Sequence, residues 1–329
     1  MIRKKLINYI RGYYLIHIIS VLTKNKYYYS RFNKSFLAKN KYYENIFNYL
    51  HLIGLVKKKK NFFHFSNEGK KLFFRHGPIN IIHSYKNYFY NLFDILKKNK
   101  ISKNIFVDRK ENIFGSGKTN SKKFFYPALD LIKKNEYSFL HDIGSGNGSF
   151  LDLVKKKKLI KMVSGSDISA TSVKELRKNK NIQSIQCNAL NVKKWSSWVN
   201  SRVPVNKQNK ILISLWFILH EINKKNLNFI IGFLKKINRS LPRASILIGE
   251  IIKPDYKKAY AKLYNNSIMP EYNFFHFLSG QNMFTLKELL YIKKKIPFKI
   301  RKELFIDKNY SLKKNLGSSG IIWLLDPKE

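Results

Sequence analysis

Phe139-Leu140-His141-Asp142-Ile143-Gly144-Ser145-Gly146-Asn147-Gly148-Ser149-Phe150-Leu151 is the line on which the fold of this chain turns. An apolar strand runs into three alternate glycines, and an apolar helical pattern (Phe150, Leu151, Leu153, Val154) begins at once. Residues without a Cβ let the backbone turn tightly and come into contact with a ligand at the carboxyl edge of a sheet. A nicotinamide or flavin fingerprint, G-x-G-x-x-G, would place its last glycine where Ser149 stands. The spacing is instead acid-x-G-x-G-x-G, led by Asp142.

Downstream, a second apolar strand over Met162–Gly165 ends at Ser166-Asp167-Ile168-Ser169. A carboxylate at that tip can accept from both hydroxyls of a sugar diol; the other reading is an Asp that caps the helix beginning near Thr171. A third strand, Ile182–Gln186, ends at Cys187-Asn188-Ala189-Leu190, and a fourth, Lys210–Phe217, runs into Ile218-Leu219-His220-Glu221-Ile222. A fifth, Ser245–Ile252, contains Gly249-Glu250 and stops at Pro254; a helix over Thr285–Lys293 precedes two closing strands, Phe298–Ile306 and Gly320–Leu325. Strand and helix in alternation, ending in a hairpin, predict an α/β domain.

Upstream, apolar residues recur at helical spacing from Leu6 to Leu22, then around Arg31–Ala38 and Tyr43–Leu52, the last closed by Gly54. Two strand-like pieces, Leu55–Lys57 and Phe62–Phe65, are separated by the run Lys57–Lys60, and Ser66-Asn67-Glu68-Gly69 opens another helix. This is a winged-helix order. The third helix, Tyr42 to Ile53, is apolar and aromatic and suits packing, whereas a DNA reader would present polar base-contacting residues there. Lys57–Lys60 reads as a solvated hairpin tip. An aromatic helix over Tyr85–Leu96 leads into the polar stretch Lys97–Lys123, expected to be a linker or lid. Within it Gly115-Ser116-Gly117-Lys118-Thr119 imitates a phosphate-binding loop, but Asn112 occupies the place of the first glycine and no apolar strand precedes it. The expected division is 1–97, 98–123 and 124–329.

The glycine line led by Asp142 resembles motif I of the class I S-adenosylmethionine-dependent methyltransferases, and Asp167-Ile168-Ser169 matches that family's second motif. The front third, through His51-Leu52-Ile53-Gly54-Leu55-Val56 and Phe65-Ser66-Asn67-Glu68-Gly69-Lys70-Lys71-Leu72, resembles the N-terminal domain of its small-molecule members, which mediates dimerisation and walls the substrate pocket. The resemblance implies a Rossmann-like seven-stranded methyltransferase sheet behind a mostly helical winged-helix-like domain. It also implies S-adenosyl-L-methionine as cofactor, a small-molecule substrate and a homodimer. Cofactor contacts are then expected from Asp142, Gly144, Ser145, Gly146, Asn147 and Gly148, from Asp167 and Ile168 at the ribose, from Asn188 and Ala189 at the adenine, and from Leu215 and Trp216 at the fourth strand. The family usually carries Asp where Asn188 stands; an amide oxygen accepts the same hydrogen bond from an amino group.

Methyl transfer from a sulfonium is an in-line displacement, and a hydroxyl or carbon-acid nucleophile benefits from a general base. His220, just beyond the fourth strand, lies on the reaction side of such a sheet and has the side chain that titrates nearest neutrality. Packing against the adenine pocket is its other reading. Glu221 follows directly, although adjacent residues do not share a face. Met269-Pro270-Glu271-Tyr272 and Phe274-Phe275-His276-Phe277-Leu278-Ser279-Gly280-Gln281 resemble a line in a subgroup that includes enzymes methylating a 2-keto acid, which makes His276, Glu271 and Gln281 acceptor contacts or, equally, packing residues. The catalytic candidates are His220, Glu221 and His276, with no metal.

O-methylation of a secondary metabolite such as a polyketide is the first expectation and C-methylation beside the keto group of a 2-keto acid the second. A nucleic-acid enzyme acting on exocyclic amines would show Asn/Asp-Pro-Pro-Tyr where Ser214-Leu215-Trp216-Phe217 stands, and cytosine-C5 chemistry needs a cysteine there, whereas Cys187 belongs to another strand. A winged-helix DNA-binding regulator with a dead catalytic domain would have lost the glycine loop or Asp167.

The 329 residues are long enough for two domains, and a 44% hydrophobic content supports a packed core. The formal net charge of +44 is mostly lysine spread along the chain, whereas a nucleic-acid surface calls for arginine-rich, aromatic-interleaved patches on one face. The single cysteine, Cys187, excludes an internal disulfide and fits a reducing compartment. No apolar run reaches the length of a bilayer span, so the chain is expected to be cytoplasmic.

Overall fold

The computed structural model describes residues 2–24, 32–33, 41–60, 62–98, 100–102, 104–204, 206, 210–223, 226–253, 269–306 and 320–328. Its contacts divide the chain into two units, Met1–Thr119 and Asn120–Glu329.

The first unit runs α1 (Ile2–Lys24), β1 (Phe32–Asn33), α2 (Lys41–Leu52), β2 (Val56–Lys59), β3 (Phe62–Phe65), α3 (Asn67–Phe74), α4 (His76–Ser84), α5 (Lys86–Tyr90), α6 (Leu92–Lys98) and α7 (Arg109–Asn120). Its antiparallel sheet has the order β1-β3-β2. Phe32 and Asn33 pair with Phe63 and Phe62, so a strand stands where helical spacing was expected; the rest of that expected helix lies outside the described residues. Pairing with a neighbouring strand here overrides local periodicity. The core gathers Ile19 and Leu22 of α1, Phe47 and Leu50 of α2, and Val56, Phe63, Phe65 and Phe73 from the hairpin and α3. Ser66 caps α3 by accepting from the Gly69 amide at 3.0 Å. Gly69 itself has no room for a side chain, since a Cβ would fall 2.1 Å from the Leu55 carbonyl oxygen.

The stretch 98–123, expected to be a linker or lid, is corrected by α7, which packs into this unit. A Cβ on Gly115 would fall 2.7 Å from the Gly77 carbonyl oxygen and 2.8 Å from the Ile81 nitrogen. The glycines of the phosphate-loop-like string thus include one that lets α7 approach the backbone of α4. Sequence reading took the polar composition for a loop because the helix packs through Gly115, the buried Glu111 and one Phe114 ring stacked on His76, which leaves no apolar periodicity.

A π-helical turn over Ser121–Phe125 opens the second unit, followed by α8 (Tyr126–Lys133), β4 (Phe139–Ile143), α9 (Ser149–Lys156), β5 (Met162–Asp167), α10 (Ala170–Lys180), β6 (Gln183–Gln186), α11 (Val192–Asn200), β7 (Ile211–Trp216), α12 (Leu219–Ile222), α13 (Leu227–Ser240), β8 (Ser245–Ile251), α14 (Met269–Leu278), α15 (Leu286–Lys295), β9 (Phe298–Ile306) and β10 (Gly320–Pro327). The seven strands lie in the order β6-β5-β4-β7-β8-β10-β9, with β10 antiparallel to both neighbours. Every residue of β4, β7 and β8 is buried, as strands covered on both faces require. One apolar layer joins the sheet to α11, α13 and α15 through Trp195, Ile230, Leu234 and Ile292, and the other joins it to α8, α9 and α10 through Leu129, Phe150 and Leu176. At the open edge, Arg177 of α10 donates from Nε and Nη2 to the Ser184 carbonyl of β6, a side-chain cover for an edge strand.

Candidate active site

The chain order reverses between β4 and β7, so a crevice forms at the carboxyl ends of these two strands, where open α/β sheets bind their ligands. Gly144, Gly146 and Gly148 adopt φ of +68°, +52° and +67°, a region that L side chains rarely enter. The loop they form is tied to the next strand: the Gly144 and Ser145 amides donate to the Ser166 carbonyl at 2.8 and 3.0 Å. A Cβ on Gly144 would collide with Ile218 Cδ1 at 2.1 Å, so the loop also fits under the segment that follows β7. Asn147 turns inward on the loop, its Oδ1 accepting from the amide and hydroxyl of Ser149.

Asp167 ends β5 and is buried; its Oδ2 accepts from the Gly146 amide and its Oδ1 from the Ser169 amide, both at 2.8 Å. A carboxylate offers about four acceptor positions, and these two amides take two of them. The helix cap expected as its alternative role belongs to Ser169, whose hydroxyl accepts from the Ser172 amide. Ile168 beside it is 67% exposed. The Cys187 amide donates to the Asp167 carbonyl, which sets the turn carrying Asn188 and Ala189 beside the same edge. Asn188 is exposed and its Oδ1 accepts from the Leu190 amide; the Ala189 carbonyl accepts from Trp195 Nε1.

Asp142, next to last in β4, is almost fully buried and receives the Ser214 hydroxyl at 2.6 Å. Burial pushes its carboxyl up to about 7, the Ser214 hydrogen bond pulling it down and the charge of Asp167 adding to the rise. The preceding residue, His141, is wholly buried between the hydroxyls of Ser164 and Ser166 and is held neutral, its basicity lowered to about 3 by burial and then by Arg202.

The structure departs from expectation at Leu215 and Trp216. Leu215 is wholly buried in one apolar layer, and Trp216 packs in the other against Phe125 and Phe150, 5.1 and 4.8 Å between ring centroids. Their side chains lie in the two apolar layers. The alternation of a strand covered on both faces sends these side chains into the layers, which position along the strand alone does not reveal. Phe217, the next residue, takes φ +59° without being glycine, a strained conformation of the kind that collects at functional sites.

That turn delivers His220. Its Nδ1 lies 2.6 Å from Glu250 Oε1, its backbone amide donates to Glu250 Oε2 at 3.2 Å, and both side chains are sealed from solvent. Glu250, on β8, also receives its neighbour's amide, from Ile251 at 2.8 Å. Sequence reasoning missed Glu250 as a site residue, although a carboxylate inside the apolar run Ser245–Ile252 was a signal, because a buried charge requires a partner. Glu221, the adjacent acid, is exposed and is not the dyad partner.

His276 of α14 stands edge-on to His220, with ring centroids 5.0 Å apart. Its Nδ1 donates to the Tyr272 carbonyl at 2.6 Å, and since a carbonyl only accepts, the proton of the neutral ring sits on Nδ1. Tyr272 lies close by; burial, then the charges of Glu250 and Glu221, raise its hydroxyl well above the ordinary phenol range. Gln281 is buried and its amide donates to the His276 carbonyl, while Glu271 is exposed. Asn223 and Asn282 exchange side-chain amides with each other's carbonyls at 3.0 and 3.1 Å, clasping the end of the His220 helix to the loop after α14. The structure therefore brings His220, Glu250, His276 and Tyr272 together. No group of metal-ligating side chains occurs among the described residues.

No family model matches the chain, and no curated protein matches it. Solved structures do. An O-methyltransferase family protein from Burkholderia thailandensis superposes with a TM-score of 0.60 at 9% identity, covering 99% of this chain and 98% of its own. Mitomycin 7-O-methyltransferase gives 0.62 at 11% identity over 99% and 98%, and human N-acetylserotonin methyltransferase, in complex with S-adenosylmethionine, gives 0.64 at 10% over 100% and 98%. Likeness at this identity, over the whole length of both chains, is a likeness of fold: the chain has the fold of these methyltransferases, seven-stranded sheet and N-terminal helical domain included.

Proposed function

We propose that this chain is an S-adenosyl-L-methionine-dependent methyltransferase acting on a small-molecule acceptor, a hydroxyl of a secondary metabolite, with His220 as general base. The observation that carries the reading is the joint geometry of the crevice: a loop of three left-handed glycines tied through Gly146 to Asp167, beside a buried His220–Glu250 pair. The neighbours named above are methyltransferases, and one was solved with this cofactor.

The residues present fit such a cofactor. Gly144, Gly146 and Gly148 leave backbone where side chains would stand, Asp167 would hold the ribose hydroxyls with Ile168 beside it, Asp142 would face the cationic methionine end, and Asn188 and Ala189 would flank the adenine. When bound, the cofactor supplies an electrophilic methyl group on a sulfonium. Glu250 accepts the Nδ1 proton of His220, which leaves the lone pair on Nε2, the atom that takes the proton of the attacking hydroxyl. Glu250 also stabilises the imidazolium so formed. The same base would serve a carbon acid beside a keto group, so the C-methylation alternative shares this site. His276, Tyr272 and Gln281 contribute the wall on the acceptor side.

The winged-helix-like first unit is read as the dimerisation domain. Leu6, Tyr9, Ile10, Tyr13 and Tyr14 present an exposed apolar face on α1, the kind of patch that marks an interface. A dimer by light scattering is the expected result, and a monomer at micromolar concentration would remove this part. No described helix is long and apolar enough to cross a membrane; with Cys187 buried and unpaired, a reducing cytoplasmic setting fits.

Calorimetric titration tests the assignment. The chain should bind S-adenosyl-L-methionine and its demethylated product, and Asp167→Ala should weaken both by roughly tenfold or more, the cost of losing hydrogen bonds to a charged acceptor. Binding of a nicotinamide cofactor in preference, or an unaltered affinity in Asp167→Ala, would overturn it.

A further inference from the structure

The first unit holds a chain of ionisable groups that the proposed reaction does not use. Glu111 of α7 is wholly buried, and its Oε1 accepts from the Ser20 hydroxyl of α1 and from His83 Nδ1 of α4, the latter at 2.8 Å. His83 Nε2 lies 3.0 Å from His17 Nδ1 of α1, and His17 Nε2 lies 3.4 Å from the Tyr90 hydroxyl of α5, a residue 59% exposed. Lys86 Nζ stands 3.5 Å from Glu111 Oε2 and 3.4 Å from Asp108 Oδ2, and Tyr13 packs edge-on against His17. The Tyr90 hydroxyl also shares a hydrogen bond with Tyr13, and these groups face the two histidines from α1, α4, α5 and the start of α7 among the described residues.

The proton positions follow from the acceptors. An ionised carboxylate only accepts, so His83 carries its proton on Nδ1 and offers Nε2; His17 therefore donates from Nδ1, and its Nε2 takes the Tyr90 hydroxyl. With these donors every bond points toward Glu111. One added proton can be housed by reversing the outer bonds, with His83 Nε2–H donating to His17 Nδ1 and His17 Nε2–H to the Tyr90 oxygen. A second sets two N–H groups head to head across 3.0 Å. Burial, then the charge His83 acquires when protonated and the charge of Lys86, lower the proton affinity of His17, and the charge of Glu111 opposes them.

We propose that the His17–His83 pair is an acid-sensitive latch, fastening α1 to α4 and α7 while the two rings share at most one proton between them. Once α1 detaches, each ring can take its own proton, so the open state binds at least one more. The closed state is thus favoured above the ordinary histidine range, and acidification below about pH 6.5 shifts the balance toward opening by tenfold per pH unit for each extra proton.

Hydrogen exchange on the full chain tests this, following the α1 amides from residues 15 to 22 between pH 8 and pH 5 with intrinsic rates corrected. The opening constant of α1 should rise about tenfold per unit below about pH 6.5. His17→Asn places an amide donor where Nδ1 stands and cannot titrate, so its α1 should remain protected without that acid response. Wild-type protection that is equal at both ends of the range, or an unchanged response in His17→Asn, overturns the latch. Should that variant not fold, nitrogen chemical shifts of the two rings in the wild type decide: one proton shared while α1 stays protected supports the proposal, and two protons with α1 still closed defeats it. Neither readout involves cofactor or turnover, so the latch and the catalytic assignment stand or fall separately.

Discussion

Turnover by a His220→Ala variant should fall by roughly 10²–10⁴-fold, the contribution of a positioned acid–base group, with cofactor affinity unchanged. Glu250→Gln should lose nearly as much. Its amide can donate to Nδ1, which would move the ring proton onto Nε2 and remove the lone pair the reaction uses. In that orientation the carbonyl oxygen still serves the backbone amide of His220, but the Ile251 amide, which shares Oε1 with Nδ1, loses its acceptor, so some loss of stability is expected beside the loss of turnover. Glu221→Gln, by contrast, changes an exposed side chain and is expected to stay within a few-fold of the wild type. The measurement is kcat and kcat/KM across pH with a competent acceptor, alongside calorimetry of the cofactor. Equal activity in His220→Ala removes this residue from the mechanism, and a Glu221 effect larger than that of Glu250 would reassign the dyad.

Asp142→Asn should make the fold more stable at pH 8 and the cofactor site worse. The native carboxyl holds its proton up to about pH 7, whereas an unfolded chain releases it near 3.8. The wild type therefore loses stability as pH rises through that window, by no more than about 4 kcal/mol, and an amide avoids the loss. His141 works the other way: unfolded, it takes a proton at 6.5, but in the fold only at about 3, so its contribution is lost as pH falls. Between about pH 4 and 6.5 the two slopes cancel in the wild type. In Asp142→Asn the offsetting carboxyl slope is gone, so denaturant midpoints of the second unit should fall more steeply on acidification from pH 6.5 than those of the wild type. Cofactor affinity in the wild type should rise with pH up to about 7, because a cationic ligand favours the ionised carboxylate, and this rise should vanish in the variant. A variant less stable than wild type at pH 8, or with the same pH profile for binding, would show that Asp142 does not ionise against the ligand.

Much of this site was legible in the residues. Gly144, Gly146 and Gly148 declared a left-handed loop because no other residue type is comfortable there, and the apolar runs on either side fixed it between a strand and a helix. Asp167 at a strand tip and His220 beyond another were readable from position alone, since strands of a parallel sheet end on the same edge. Glu250 was not, because its partner is thirty positions away and meets it only when β7 and β8 pair side by side in register. The direction of the Leu215 and Trp216 side chains was not legible either: being near the crevice along the chain says nothing about which way a side chain points in a sheet covered on both faces. The polar helix α7 was unreadable because its packing rests on Gly115 and on Glu111 bonded to His83, and neither has the apolar periodicity by which helices are recognised.

Local chemistry, then, was determined by the sequence: which backbone positions must lack a side chain, which runs are strands, and which end each acid or histidine occupies, because these depend on neighbours within a few residues. Proton placement was decided by the tertiary structure alone. Whether Asp142 is ionised, which nitrogen of His220 or His276 bears hydrogen, and whether His17 and His83 can both be charged depend on burial and on partners brought from distant strands and helices. Those energies exist only once water has been excluded and the chain has closed on itself.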